Sequence, residues 1–320
     1  MREVRKLLGM EQALDIQRQA FLAMTRGRTV AAPNSWLPLP GERRGWLKLL
    51  AGYEETDGGL SVKVLARFPD NPTGSNLGSL LLLFDPDNGF PLAIMNGVYV
   101  TALRTGAGAG LATHVLAPDA TRVGLIGTGI VAWHSLVAMR LTNPKLAELK
   151  AFSRSPERRN RFTRRAEAEL GFASTAVPSV DEAVADVDVV VTATNAPEPV
   201  LFPEHIRPGL HVNAMGIRTE ISPEAIARCV VIGDGREEAV EDGKFSVALS
   251  AGTVVVDEIG PDLGAVLDGV AVPGDPRERI TLFDSSGVAI QDVVCARHVW
   301  RQAELLGIGT LVDLGLDDSP

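Results

Sequence analysis

Hydrophobic and polar positions along this chain fall into two regimes. In the first 118 residues the segments "LSVKVLARF" (60 to 68) and "LGSLLLLFDPDNGFPLAIMNGVYV" (77 to 100) predict strands, the second broken by a turn at Asp85-Pro86-Asp87-Asn88-Gly89. "TALRTGAGAGLATHVLA" (101 to 117) then predicts a helix of small residues. Beyond it the pattern changes to a regular alternation. Val123-Gly124-Leu125-Ile126 predicts a buried strand, and residues 130 to 141 a helix with Val131, Leu136, Val137 and Leu141 available for packing. "LKAFSR" (149 to 154), a charged helix from 156 to 170, "STAV" (174 to 177), a short helix near 180 to 185 and "VDVVVTAT" (187 to 194) continue it. "LHVNAMG" (210 to 216), a helical turn from Pro223 and "CVVIGD" (229 to 234) extend the series. Alternation of this length predicts α/β architecture, a Rossmann-type doubly wound parallel sheet, beside a smaller α+β part formed by the first regime.

The junction of the two regimes reads "RVGLIGTGIVAWHS" (122 to 135). Gly-x-Gly-x-x-Ala is a weak signal alone, but here it follows a strand and opens a helix. In that context Gly127 makes the tight turn, Gly129 lets the backbone approach a pyrophosphate, and Ala132 permits close packing of helix on strand. The helix N-terminus supplies free amides for the diphosphate. The dinucleotide is read from the next strand, which in NAD sites ends in an acid for the ribose 2′-hydroxyl. Here it ends Phe152-Ser153-Arg154-Ser155. With no acid and an arginine, the pattern favours NADP(H), with NAD(H) possible: Arg154 would grip a 2′-phosphate, helped by Ser153, Ser155 and Arg158. The competing reading of "SRSPERRNR" is a capped and solvated helix start.

Composition narrows the partners. At 320 residues and 45% hydrophobic, the chain can bury two cores. A net charge of −9 and the lack of a basic stripe argue against nucleic acid. The acidic cluster Glu237, Glu238, Glu241 and Asp242 reads as a solvated helix face. Cys229 and Cys295 lie in apolar runs and read as buried thiols, with no metal site. The N-terminus is charged and amphipathic, and no apolar run reaches about 18 residues, so no membrane partner and a cytoplasmic location are expected.

Two cations stand out in the first regime. Lys63 sits within a strand pattern, pointing the same way as Ser61 and Leu65 and away from Val62 and Val64. Arg104 sits in an otherwise small and apolar helix. Each could equally be a surface residue.

The ordered set Lys63, "PDNP" (69 to 72), "LLLFDPDNGFPLAIMNG", "TALRTGAGAGLA", "GLIGTGIVA", "PGLHVNAMG" (208 to 216) and "TLFDSSGVAIQDVVCA" (281 to 296) resembles the ornithine cyclodeaminase and mu-crystallin family. The likeness runs in order over nearly the whole chain. It implies a homodimer of two-domain subunits, a bound NAD(H) or NADP(H), and a substrate that is an amino, imino or 2-oxo acid. It also divides the chain into residues 1 to 118 with 286 to 320, for substrate and dimerisation, and 119 to 285 for the nucleotide. Lys63 matches the family's active-site lysine, and Arg104 an arginine that holds the substrate carboxylate. Motif and resemblance together place Gly127, Gly129, Ile130, Val131, Ser153, Arg154, Ser155, Thr194, Met215 and Ser285 against the cofactor. Within 285 to 306, Val288, Val293, Trp300 and Leu305 are expected to pack a helix back onto the N-terminal part.

Departures from the family pattern shape the expected reaction. Many members carry Gly-x-Asp-x-Pro-Gly-Lys where this chain reads Met215-Gly216-Ile217-Arg218-Thr219-Glu220-Ile221-Ser222, shorter by about three residues, and the loop aspartate is missing. Glu220 aligns instead with a structural glutamate. Asn34 or Ser35 stands in place of a second arginine, Asn96 in place of an aspartate, and Asp284 where lysine is common. Cyclodeamination would lose a general base. Hydride transfer asks for less: a carboxylate clamp, a proton donor and a held nicotinamide. The expectation is therefore an NAD(P)H-dependent imine reductase or amino acid dehydrogenase. Ornithine-type cyclodeamination and a mu-crystallin-like binder of NADPH and a small ligand are the alternatives.

Overall fold

The computed structural model describes residues 1–40, 45–71, 76–275 and 277–315. Pro72 of the "PDNP" stretch and residues 316–320 of the C-terminal segment lie outside the described residues. The chain begins with helices α1 (Arg2–Leu7) and α2 (Met10–Thr25). Strands β1 (Thr29–Ala31), β2 (Ser35–Pro38), β3 (Trp46–Glu54), β4 (Gly59–Arg67), β5 (Leu77–Phe84) and β6 (Pro91–Asn96) follow. They form an antiparallel sheet in the order β1-β3-β4-β5-β6, with β2 also paired to β3.

Alternation along these strands sorts side chains onto two faces. Leu50, Lys63 and Leu81 lie in register across β3, β4 and β5 and are all buried. The other face carries two rows, Leu49-Val64-Leu80 and Ala51-Val62-Leu82-Ile94, also in register. Leu80 and Ile94 there are 51% and 58% exposed, so the chain leaves an apolar sheet face uncovered.

Helix α3 (Gly97–Leu116) begins four residues before the expected position, because Asn96 caps it by accepting from the Tyr99 amide. Its glycines bring it close to α4 (Ile130–Thr142). A Cβ on Gly106 would stand 2.5 Å from the His134 carbonyl carbon, so the helices meet backbone to backbone.

From there β7 (Arg122–Ile126), α4, β8 (Glu148–Phe152), α5 (Pro156–Leu170), β9 (Ala173–Ala176), α6 (Val180–Val184), β10 (Val189–Thr192) and β11 (His211–Ala214) keep the expected alternation. Next come α7 (Pro223–Ile226), β12 (Val230–Gly233), α8 (Arg236–Glu241), α9 (Lys244–Ser250), α10 (Leu263–Leu267), β13 (Thr281–Asp284) and α11 (Ala289–Leu306). The seven strands are all parallel, in the order β12-β13-β11-β10-β7-β8-β9. After β7 the chain runs outward to β9, then returns to β10 on the other side of β7. That reversal is the switch point at which open α/β sheets bind ligands, beyond the carboxyl ends of the strands.

Helix α11 leaves the parallel sheet and lies across β3 and β4, with α2 and α3 beside it. Its buried side is Ile290, Val293, Cys295, Ala296 and Val299, and Val288 caps its start. Leu305 does not pack: it is 77% exposed in the last turn before Gly307, which ends the helix in left-handed geometry. Among the described residues no helix is long and apolar enough to cross a membrane.

Candidate active site

The glycine turn sits at the switch point. Gly127 has φ 103°, and its amide donates to the Phe152 carbonyl at 2.9 Å, tying the turn to the end of β8. A Cβ on Gly127 would lie 2.5 Å from the Ala193 carbonyl oxygen, so glycine is required twice over. A Cβ on Gly129 would meet nothing within 4 Å, which marks open space at the N-terminus of α4. The amides of Ile130, Val131 and Ala132 have no partner within the helix there. Ala132 is fully buried, as close helix-to-strand packing demands. This arrangement fits a dinucleotide diphosphate.

At the end of β8, Arg154 is exposed, whereas its neighbours are partly committed. Ser155 caps α5, accepting from the Arg158 amide, and donates to Glu157. Ser153 donates to the Ser155 carbonyl. Of the cofactor set, Thr194 uses its hydroxyl and amide on Glu220, Met215 closes the end of β11 at 6% exposure, and Ser285 lies just past the end of β13.

Lys63 and Arg104 are brought together on one carboxylate. Lys63 Nζ donates to Asp292 Oδ2 at 2.5 Å, and Arg104 Nε stands 3.4 Å from Asp292 Oδ1. Arg104 Nη1 donates to Gln291 Oε1 at 2.8 Å. Gln291 and Asp292 ride on the first turn of α11, where the loop from β13 delivers them beside the parallel sheet. Gly287, at φ 86°, passes so close that a Cβ would lie 3.1 Å from Arg104 Nη2. All three charged groups are at most 4% exposed, and two cations share one anion. Burial, then the Arg104 charge, lowers the Lys63 ammonium to about 8, against the opposing pull of Asp292. Inside a buried site a surplus of one positive charge calls for an anion. The Nε of Arg104, Oδ1 of Asp292 and Nε2 of Gln291 also have no hydrogen-bond partner among the described residues.

Glu220, Asp284 and Asp234, three further buried carboxylates, are structural. Glu220 is buried and accepts from Thr192 Oγ1, the Thr194 amide and hydroxyl, and the Gly216 amide, which spends both its oxygens on holding the 215–222 loop. Asp284 accepts from the Phe245 amide at 2.9 Å and faces buried Lys244 at 3.6 Å. Asp234 accepts from Ser286 Oγ and the Gly287 amide, bracing the turn that leads into α11. Cys229 and Cys295 are free thiols that burial pushes up to about 12.

The acidic cluster is not a uniformly solvated face. Glu237 and Glu241 are exposed, but Glu238 is half-buried and pushed up to about 7 by burial and by Asp234. Asp242 leaves the cluster altogether. It pairs with Lys48 Nζ at 2.7 Å, both side chains being at most 14% exposed. The sequence reading passed over Lys48, Asp292 and Gln291. A lysine at an inward-pointing strand position, and an amide and an acid between Ile290 and Val293 on the buried side of a helix, were the available signals.

The sequence profile of the ornithine cyclodeaminase/mu-crystallin family matches residues 1–305. An alanine dehydrogenase of Archaeoglobus fulgidus is 31% identical over 97% of this chain and 96% of its own. The Δ1-pyrroline-2-carboxylate reductase of Thermococcus litoralis, solved with NADH and L-proline, superposes with a TM-score of 0.92 at 28% identity, covering 97% of this chain and 98% of that one. An archaeal alanine dehydrogenase dimer with bound NAD gives a TM-score of 0.89 at 30% identity, with 98% of each chain covered.

Proposed function

The chain belongs to the ornithine cyclodeaminase/mu-crystallin family, and on that premise we propose that it is an NAD(P)H-dependent oxidoreductase of a small imino or amino acid. The observation that carries this reading is the buried trio in which Lys63 and Arg104 share Asp292. A substrate carboxylate answers the surplus positive charge, and the planar fork of Arg104 suits it. Lys63 then faces the α carbon and its nitrogen. The glycine turn of Gly127 and Gly129 would hold the dinucleotide, whose nicotinamide would supply or accept the hydride at that carbon. In reduction, the C=N carbon gains hydride and the nitrogen takes a proton from the Lys63 ammonium; in oxidation, neutral Lys63 accepts it. A lysine lowered to about 8 serves both directions near neutral pH. Asp292 acts through Lys63, fixing where Nζ points.

NADP(H) is the favoured dinucleotide, since β8 ends without an acid and presents Arg154 to solvent beside the Gly127 turn. Residues 1 to 118 with 286 to 320 form the substrate and dimerisation part, and 119 to 285 the nucleotide part. Two copies would cover the apolar rows of β3 to β6, and light scattering at micromolar concentration should give twice the chain mass. Cyclodeamination is disfavoured because Glu220, the one carboxylate of the 215–222 loop, is spent on backbone and threonine donors.

The deciding experiment follows nicotinamide absorbance with NADPH and NADH against pyrroline-2-carboxylate, piperideine-2-carboxylate and 2-oxo acids with ammonia or methylamine. Turnover with any of these is expected. No absorbance change with either cofactor overturns the oxidoreductase reading, and robust proline formation from L-ornithine restores the cyclodeaminase.

A further inference from the structure

Lys48 is the second lysine on the inward face of the antiparallel sheet. It lies opposite Leu65 on β4, two residues along from the Leu50-Lys63 pair, so Lys48 and Lys63 are diagonal neighbours, with backbones about 7 to 8 Å apart. The charge of Lys48 is among those that lower Lys63. Strand β2 and the residue before it add two donors beside it. Lys48 Nζ sits 4.6 Å over the Trp36 ring, and that ring is braced edge-on by Trp46 at 4.7 Å. Lys48 Nζ at 2.7 Å, Trp36 Nε1 at 3.2 Å and Asn34 Nδ2 at 3.4 Å converge on one oxygen, Asp242 Oδ2.

The arrangement is one-sided. Three donors from the strand side point at Oδ2, while among the described residues the cation near Oδ1 is Arg218, at 4.0 Å with a side chain 59% exposed. A tie between two parts of the chain needs one donor. Three donors converging on one oxygen suit a carboxylate. Asp242, Asn34 and Trp36 line a cavity of about 600 Å³ that reaches Ile290, the residue before Gln291 and Asp292. The side chain of alanine and the ring of pyrroline-2-carboxylate carry no second anion to pair with these donors.

We propose that Lys48, Trp36 and Asn34 read a second carboxylate on the substrate's side chain, with Asp242 yielding its place to that carboxylate and turning to Arg218. The substrate class is then a dicarboxylic imino or amino acid of four or five carbons, its first carboxylate on Arg104 and its second on Lys48. This rests on the oxidoreductase reading above and adds the specificity to it. Glu237, Glu238, Glu241 and Asp262 line the same cavity with Arg218 and Arg236; the exposed Glu237 and Glu241 oppose diacid entry only weakly because water and salt screen them.

The test compares kcat/KM for oxaloacetate and 2-oxoglutarate, each with ammonia, against pyruvate with ammonia, in the wild type, Lys48→Met and Asp242→Asn. The wild type should favour a diacid. Lys48→Met should lose about 10- to 150-fold more on the diacid than on pyruvate, the range for one charge-assisted hydrogen bond. Asp242→Asn should lower the diacid KM by removing the competing carboxylate. Equal losses on all substrates in Lys48→Met, or a wild-type preference for pyruvate, overturn the proposal. So does a preference for diamino acids that Asp242→Asn abolishes, which would make Asp242 the reader. Calorimetry with succinate, which needs no turnover, separates the two readings: binding that Lys48→Met abolishes supports the receptor even without catalysis, and no binding to the wild type overturns it.

Discussion

In the function proposed above, the glycine turn between β7 and α4 and the ionic trio on β4, α3 and α11 would each hold an anion, and they are built by opposite means. The turn uses backbone from one stretch of eleven residues, 122 to 132, and needs side chains only to be small. The trio uses charged side chains from positions 63, 104 and 292, none of them neighbours in the chain. A site made of backbone is insensitive to most substitutions but intolerant of a Cβ in the wrong place. A site made of side chains fails one group at a time, and each failure has its own signature.

The largest effect expected is at Lys63. Lys63→Ala should lower kcat for imine reduction by about 10² to 10⁴, the contribution of a positioned proton donor, while NADPH binding persists. Arg104→Ala should instead raise KM strongly, with some loss of kcat. Steady-state kinetics beside NADPH titration by fluorescence checks the separation, and loss of NADPH affinity in either variant would break the comparison.

The reverse experiment is next in size. Arg154→Ala should weaken NADPH by about 1.5 to 3 kcal/mol, roughly 10- to 150-fold, and leave NADH nearly unchanged. An equal loss for both dinucleotides would remove the assignment to NADP(H). Gly127→Ala should cost about 1 to 3 kcal/mol of stability from its positive φ, measured by denaturant unfolding, with its clash against the Ala193 carbonyl adding to that. Tolerance at that position would mean that the turn is not built as described.

The smallest effect sharpens the ionic side. Because Lys63 is lowered to about 8, its donor form prevails below that pH, so kcat/KM for imine reduction should fall as pH rises through about 8. Amino acid oxidation should rise through the same range. Arg104 is one cause of the lowering, so Arg104→Met should move both limbs to higher pH. A profile that ignores Arg104 would put the titrating group elsewhere.

These two sites were unequally legible in the sequence. The parallel layer announced itself through strand and helix periods, and its glycine turn is local, so one stretch of text contained it. Lys63 and Arg104 were visible as cations in apolar surroundings, but their counterion was not. Asp292 sits in a helix whose other residues read as ordinary core, and only the fold shows that its buried side faces β4. Asp242 misled for the same reason, since its neighbours Glu237 and Glu241 are indeed solvated and nothing local sets it apart. Strand β13 is four residues with Thr281 and Asp284 at its ends, too short and too polar to stand out.

The Lys63–Asp292 contact joins residues 229 apart, and this separation governs the order of events at the ribosome. At about 5 to 20 residues per second, the counterion emerges roughly 10 to 45 s after the lysine. Through that interval the inward sheet face, with Leu50, Leu81 and two lysines, has no α11 to cover it. Until α11 arrives, the nascent sheet exposes apolar and cationic side chains together.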